Sequence, residues 1–139
     1  MVVLDTNVYI DVLGDADRAN VLAGLAASVE DTFAVSSVVL AELLIGLRNE
    51  RDRKELIAGV VGPIDGLPLL TPTHGDWETA GDALRLLGGD RVTARRSFWN
   101  DLLIAASCAR TSATLVTSNR DDFRRIRRAI PVRVAAAWE

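Results

Sequence analysis

A chain of 139 residues with a formal net charge of −3 is sized for one domain that buries about two thirds of the surface its unfolded chain exposes. Its residues are 49% hydrophobic but only 5% aromatic, so a core must be built from Leu, Val, Ile and Ala. No apolar run reaches the roughly 20 residues of a membrane helix, the first residues do not read as a signal peptide, and a lone cysteine excludes a disulfide framework and a cysteine-based metal site.

These features predict a soluble cytoplasmic protein, one domain over residues 1–139, with no membrane contact. MVVL reads as a short buried strand ending at Asp5. TNVYIDVLG reads as a helix with Thr6 or Asn7 as its cap and Gly14 as its stop. A second helical pattern covers residues 17–29. TFAVSS (32–37) is strand-like and offers Ser36 or Ser37 as cap to the helix VVLAELLIGLRNE (38–50). RDRKELIAGVVG (51–62) continues as another helix. Three prolines and two glycines in residues 62–72 predict a connection around the short strand LPLL. A helix over 76–87 ends at Gly88 and Gly89, and a basic loop, DRVTARRS (90–97), leads into the helix that Asp101 starts. ATLVTSN (113–119) is the plainest strand, DDFRRIRRA a short helix and IPVRVAA a last strand. Short apolar strands alternating with helices predict an α/β fold, a parallel sheet covered on both faces.

In open α/β sheets, ligands bind beyond the carboxyl ends of the strands. Asp5 ends the first strand, Asp101 opens a helix, and Asp121 and Asp122 follow the strand at 114–117. Parallel strands deliver their trailing residues to one edge, so Asp5, Asp101 and Asp122 can converge there. Glu42 joins them if its helix packs beside the first strand. Gathered carboxylates raise one another's pKa, so a cluster calls for cations. Oxygen-only ligands select Mg²⁺ or Mn²⁺ over zinc. His74, the only histidine, leaves no scope for a His-based zinc site and reads as a surface loop or helix-start residue.

The charge is also segregated. Residues 1–90 carry 6 basic and 15 acidic side chains, and residues 91–139 carry 10 and 4, balances of −9 and +6. Fifteen of the 16 basic residues are arginine, whose planar fork suits phosphate, although an Arg-favouring genome explains the ratio to lysine at least as well. Metal held by acids beside arginine suits phosphodiester hydrolysis. One ion lowers the pKa of a bound water, and a second, about 4 Å away, stabilises the leaving oxygen. Each acid has a structural reading too. Asp5 can cap the helix after it, Asp101 can be an acid favoured by the helix dipole, and Asp121 and Asp122 can cap theirs. Glu42, set among Leu40, Ala41, Leu43, Leu44 and Ile45, is the hardest to explain that way.

VVLDTNVYIDVL, SSVVLAELLIGL, NDLLIAAS and TLVTSNRDDFRRI, in that order, with acids 37, 59 and 21 residues apart, resemble the four blocks of a PIN domain. More narrowly, they resemble VapC-type ribonuclease toxins of bacterial toxin–antitoxin pairs. The likeness runs from Met1 to about Val134. It implies an α/β/α sandwich around a central parallel sheet, and hydrolytic cleavage of RNA with Mg²⁺ or Mn²⁺. Asp5, Glu42, Asp101 and Asp122 match the family's metal-binding and catalytic acids, and Asp121 falls outside the motif. Thr6, and Thr117 with Asn119, match polar residues that orient water or phosphate.

The resemblance further implies a homodimer and a cognate antitoxin that inserts a peptide near the site. On this reading Asp5 and Asp101 hold the principal ion, and Asp122 and Glu42 complete the cage or hold a second. Arginines of the loop 91–96 and of residues 120–128 neutralise RNA phosphates. Trp99 either stacks on a base or fills the core or a dimer contact, and Cys108 and Trp138 read as packing. The alternatives are a PIN nuclease that processes RNA or cuts DNA flaps, and a non-catalytic PIN binding module. A phosphoacceptor receiver is disfavoured because no lysine follows Lys54, and a haloacid-dehalogenase-type phosphatase because Asn7, not an acid, stands two residues after Asp5.

Overall fold

A computed structural model describes residues 1–18, 20–21, 32–56, 68–88 and 96–138. Parts of four expected features lie outside them: residues 22–29 and 57–62 of two helices, the connection at 62–67, and residues 90–95 of the basic loop. The strands are β1 (Val2–Leu4), β2 (Phe33–Ser36), β3 (Leu69–Leu70), β4 (Thr114–Thr117) and β5 (Arg133–Ala136). They form one parallel sheet in the order β3-β2-β1-β4-β5. Helices among the described residues are α1 (Thr6–Gly14), α2 (Ser37–Ile45), α3 (Glu50–Leu56), α4 (His74–Leu86), α5 (Arg96–Arg110) and α6 (Arg120–Ile126), and residues 16–18 and 20–21 are helical too.

The runs VVL and TLVT supply the central pair β1 and β4, rich in β-branched residues as a strand covered on both faces requires. The chain steps outward from β1 to β2 to β3, then crosses back to β4 and β5. Its direction therefore reverses between β1 and β4, which is the topological switch point. α1 packs with α2, and α4 and α6 pack with α5, so helices cover both faces of the sheet in the α/β/α layering expected of right-handed crossovers. Val2 pairs with Thr114 and Leu4 with Val116, so the next residues, Asp5 and Thr117, emerge side by side at the carboxyl edge.

α5 is the central helix of its layer. Residues Asp101 to Cys108 are all buried, and the helix packs against α4, α6 and β4. Ser107, polar within this stretch, is satisfied by donating to the carbonyls of Leu103 and Ile104 at 3.0 Å. α4 is tied to α5 by Trp77 against Trp99, with ring centroids 5.7 Å apart, and by Arg110 on Asp76. Among the described residues, no helix is long and apolar enough to cross a membrane.

Several element boundaries differ from expectation, each for a local reason. The cap of α1 is Asp5, not Thr6 or Asn7, and its carboxylate accepts the Thr6 N–H at 2.8 Å. α2 stops at Ile45 rather than running on to Glu50, because Gly46 closes it and Asn49 caps a new helix by accepting the Asp52 N–H at 2.9 Å. α4 begins two residues early, at His74, because Thr73 and Asp76 form a reciprocal capping box. α5 begins at Arg96, so Asp101 does not start the helix but lies in its second turn. That is beyond the first-turn reach of the dipole reading.

Candidate active site

The switch point brings together acids that are far apart in sequence. Asp5 comes from the end of β1, Glu42 from α2 and Asp101 from α5, and all three line one pocket of about 190 Å³ together with Thr6, Asn7, Ile10, Ser97 and Asn119. Glu42 and Ser97 also border a second pocket of about 200 Å³, which Ile45, Arg96 and Asn100 help to line.

Asp5 is 3% exposed and held by neutral donors. One oxygen accepts the Thr6 N–H at 2.8 Å. The other accepts the Thr117 hydroxyl at 2.7 Å and the Asn7 amide at 3.2 Å. Asn7 also accepts the Ser118 N–H at 3.2 Å, so it staples the ends of β1 and β4. Burial raises the Asp5 pKa above its usual value, and the three hydrogen bonds only partly oppose it. The Glu42 pKa is also raised, first by burial and then by the nearby Asp5 charge, against hydrogen bonds from Thr6 and Asn100 and the charge of Arg96. The Thr6 hydroxyl donates to Glu42 at 2.9 Å and thereby fixes α2's acid to the start of α1.

Asp122 stands outside the pocket lining. Asn119 ties it in, its amide donating to Asp122 at 3.1 Å and to Asp101 at 3.4 Å. One donor shared by two carboxylates relieves part of their repulsion. Asp121 points elsewhere and meets Arg124 on the exposed surface. Thr6, Thr117 and Asn119, the polar residues the resemblance had singled out, each donate to one or more of these carboxylates.

The donor set fits a hard cation. Carboxylate and hydroxyl oxygens surround the pocket, and both softer candidates lie elsewhere: His74 faces Glu78 on the exposed start of α4, and Cys108 is buried in α5. The acids ring an open pocket, and among the described residues no three of them form a finished metal cage. Trp99 packs on Trp77 and belongs to the α4–α5 contact. Trp138 donates to Asp11 at 2.9 Å under the guanidinium of Arg18, and with Cys108 it is packing. Asn7, Ser97 and Asn100 do not stand out as site residues in the sequence. The only signal for Asn7 and Asn100 is their closeness to Asp5 and Asp101.

A five-stranded parallel sheet in this order, with acids from separate segments at its switch point, defines a class of protein, and the PIN domain family pattern matches residues 2–129. The chain belongs to the PIN domain family. It is 31% identical to ribonuclease VapC2 of Rickettsia felis over 102 residues, which cover 69% of this chain and 69% of that protein. The solved VapBC2 structure from Rickettsia felis, bound to a DNA fragment from their promoter, superposes with a TM-score of 0.72 at 27% identity and covers 100% of both chains. DNA-bound VapBC from Salmonella typhimurium shares the fold, with a TM-score of 0.73 at 23% identity over 99% of this chain and 100% of that chain.

Proposed function

We propose that the protein is a Mg²⁺-dependent endoribonuclease, with Mn²⁺ an alternative ion, and the toxin of a VapBC-type pair. The observation that carries this reading is the convergence of Asp5, Glu42 and Asp101 on one pocket at the switch point. The name of its relative VapC2, a ribonuclease, supports RNA as substrate.

Asp5 and Asp101 are the principal ligands, with Glu42 and Asp122 completing the donor set. When bound, the cation supplies positive charge at the attacked phosphate and lowers the pKa of a water. Thr117 and Asn7 fix the Asp5 carboxylate, Thr6 fixes Glu42, and Asn119 spaces Asp101 from Asp122. Side chains locked in this way spare the site reorganisation during reaction.

The antitoxin is the second partner. Ile10 is 57% and Ile45 61% exposed, each on the lining of one of the two adjoining pockets, and exposed apolar side chains beside a charged site suit a protein that covers it. The relatives' solved structures are VapBC assemblies, which supports that partner, and the homodimer belongs to the same reading.

The test is cleavage of total RNA with Mg²⁺, with EDTA, and by the Asp5→Ala and Asp101→Asn proteins. Cleavage is expected from the wild type in Mg²⁺ alone. Cleavage that survives chelation, or both substitutions, overturns the reading.

A further inference from the structure

A groove with about twice the volume of the carboxylate pocket lies elsewhere on the molecule. It measures about 390 Å³ and runs between α6 and β5, lined by Arg120, Arg124, Arg127 and Arg128 against Val134, Ala135 and Ala136 of β5, with the fully buried Phe123 at its floor. Arg120 and Arg124 stand one turn apart on α6, and Arg127 and Arg128 follow directly past its end at Ile126, so the stripe continues over the turn that closes the helix.

Like charges along one stripe repel. Four arginines elsewhere, Arg18, Arg48, Arg53 and Arg85, each lie within 3.7 Å of an acid. Arg125, from the same helix, leaves the stripe and sits over the Phe98 ring at 5.4 Å. In the stripe, Arg124 alone has an ion pair among the described residues, to Asp121 at 3.7 Å with both side chains exposed, a contact worth little. Among the described residues, no acid other than Asp121 pairs with an arginine of this groove.

Its upper end lies at the carboxylate edge. Arg120 follows Asn119, which lines the carboxylate pocket, and Ala136 pairs with Thr117, which holds Asp5. We propose that this groove binds the sugar–phosphate backbone of the RNA strand on one side of the scissile phosphate, so that the strand runs from the carboxylate pocket down α6. The inference rests on the ribonuclease reading above and gives it a substrate track. Guanidinium forks suit successive phosphates. The groove offers no exposed aromatic or large apolar anchor such as protein interfaces use, and the exposed Ile10 and Ile45 belong to the other pockets. The strand is therefore held through its charge and without base reading.

The experiment compares the wild-type protein with Arg124→Gln/Arg127→Gln/Arg128→Gln, leaving Arg120 beside the site intact. Binding of a short fluorescein-labelled single-stranded RNA is followed by anisotropy in EDTA across a salt series. The triple variant is expected to bind at least about 10-fold more weakly at low salt, with a salt slope reduced by about 2, at roughly 0.7 for each phosphate no longer neutralised. In Mg²⁺ its KM for RNA rises while kcat stays within about two-fold. The three side chains are exposed, and unchanged melting confirms the fold; Arg127→Gln alone serves as a milder second variant with about a third of the slope change. Equal affinity and slope overturn the groove and leave the nuclease reading standing. A wild-type protein that binds RNA through the stripe but never cleaves it with Mg²⁺ sinks the nuclease reading instead. If the substitutions release a labelled polyglutamate peptide but not RNA, the groove serves an acidic protein partner and the proposal is wrong.

Discussion

Two aspartates are almost equally buried, Asp76 at 2% exposed and Asp5 at 3%, yet their surroundings are opposite. Asp76 accepts the Arg110 Nε–H on both oxygens at 3.0 and 3.1 Å and also closes the capping box of α4. Its charge is answered inside the chain, so it fastens one helix to another. Asp5 has three neutral donors and, among the described residues, no basic partner. Burial lifts its pKa, and these neutral donors oppose the rise only in part. A buried carboxylate met by arginine is structural. Asp5, met instead by neutral dipoles at the switch point of the sheet, is the carboxylate proposed above as a cation ligand.

The sharpest way to break that comparison is to neutralise each acid without changing its shape. Asp5→Asn should lower Mg²⁺-dependent RNA cleavage by on the order of 10³-fold, because several kcal/mol of metal-borne stabilisation are lost. Its fold should stand, since Asn is as good a helix cap as Asp. In EDTA its melting temperature should equal or exceed the wild type's. Asp76→Asn should do the reverse. It leaves Arg110 without its partner and costs about 2 kcal/mol, at the low side for a broken buried pair because Arg110 is 40% exposed. Denaturant unfolding measures the loss, and cleavage per folded molecule should match the wild type. Cleavage lost in both variants, or in neither, ends the distinction.

A smaller effect is expected one step behind Asp5. Thr117→Val keeps the volume of this fully buried residue and removes the hydroxyl that donates to Asp5 at 2.7 Å. Outer partners of metal ligands typically matter by about 10- to 100-fold in affinity or activity. The variant should need more Mg²⁺ for half-maximal cleavage, while Thr117→Ser should restore most of it. An unchanged Mg²⁺ requirement in Thr117→Val would show that the Thr6 N–H and Asn7 position the carboxylate without it.

The contrast also explains what is legible in the sequence. The central strands announce themselves as short β-branched runs, and an acid directly behind one of them is a charge at a sheet edge, so Asp5 stands out. Glu42 stands out because leucines surround it. The role of Asp76 has no such signal: its partner is 34 residues away on another helix, and side-chain pairing across helices leaves no periodicity. The place of Asp101 differs from expectation because α5 already includes Arg96, five residues before it, and the sequence around Arg96 offers no clear helix-start signal. Asn119 shows the same limit. Its bridge between Asp101 and Asp122 exists only once β4 and α5 are side by side. The arginine stripe is visible as composition, but its division into a groove-lining face and Arg125 over Phe98 needs the helix in place.

The smallest expected effect is an absence of change, read by Cys108. This thiol is buried in α5, and its pKa is pushed up to about 12, first by burial and then by the charges of Asp5 and Asp76. A thiol whose folded pKa is raised contributes stability that is full below its unfolded value, about 8.5, and is lost as pH rises towards 12. At pH 8 the folded thiol is therefore neutral and enclosed, and alkylation reports transient opening of α5. Iodoacetamide should label the native wild type slowly. Asp76→Asn, with the α4–α5 tie broken, should be labelled roughly 30-fold faster if opening follows a loss of about 2 kcal/mol. Asp5→Asn should be labelled within about two-fold of the wild type, because it removes nothing that holds α5. Faster labelling of Asp5→Asn would mean that this acid, too, fastens the fold, and the difference between the two buried aspartates would collapse.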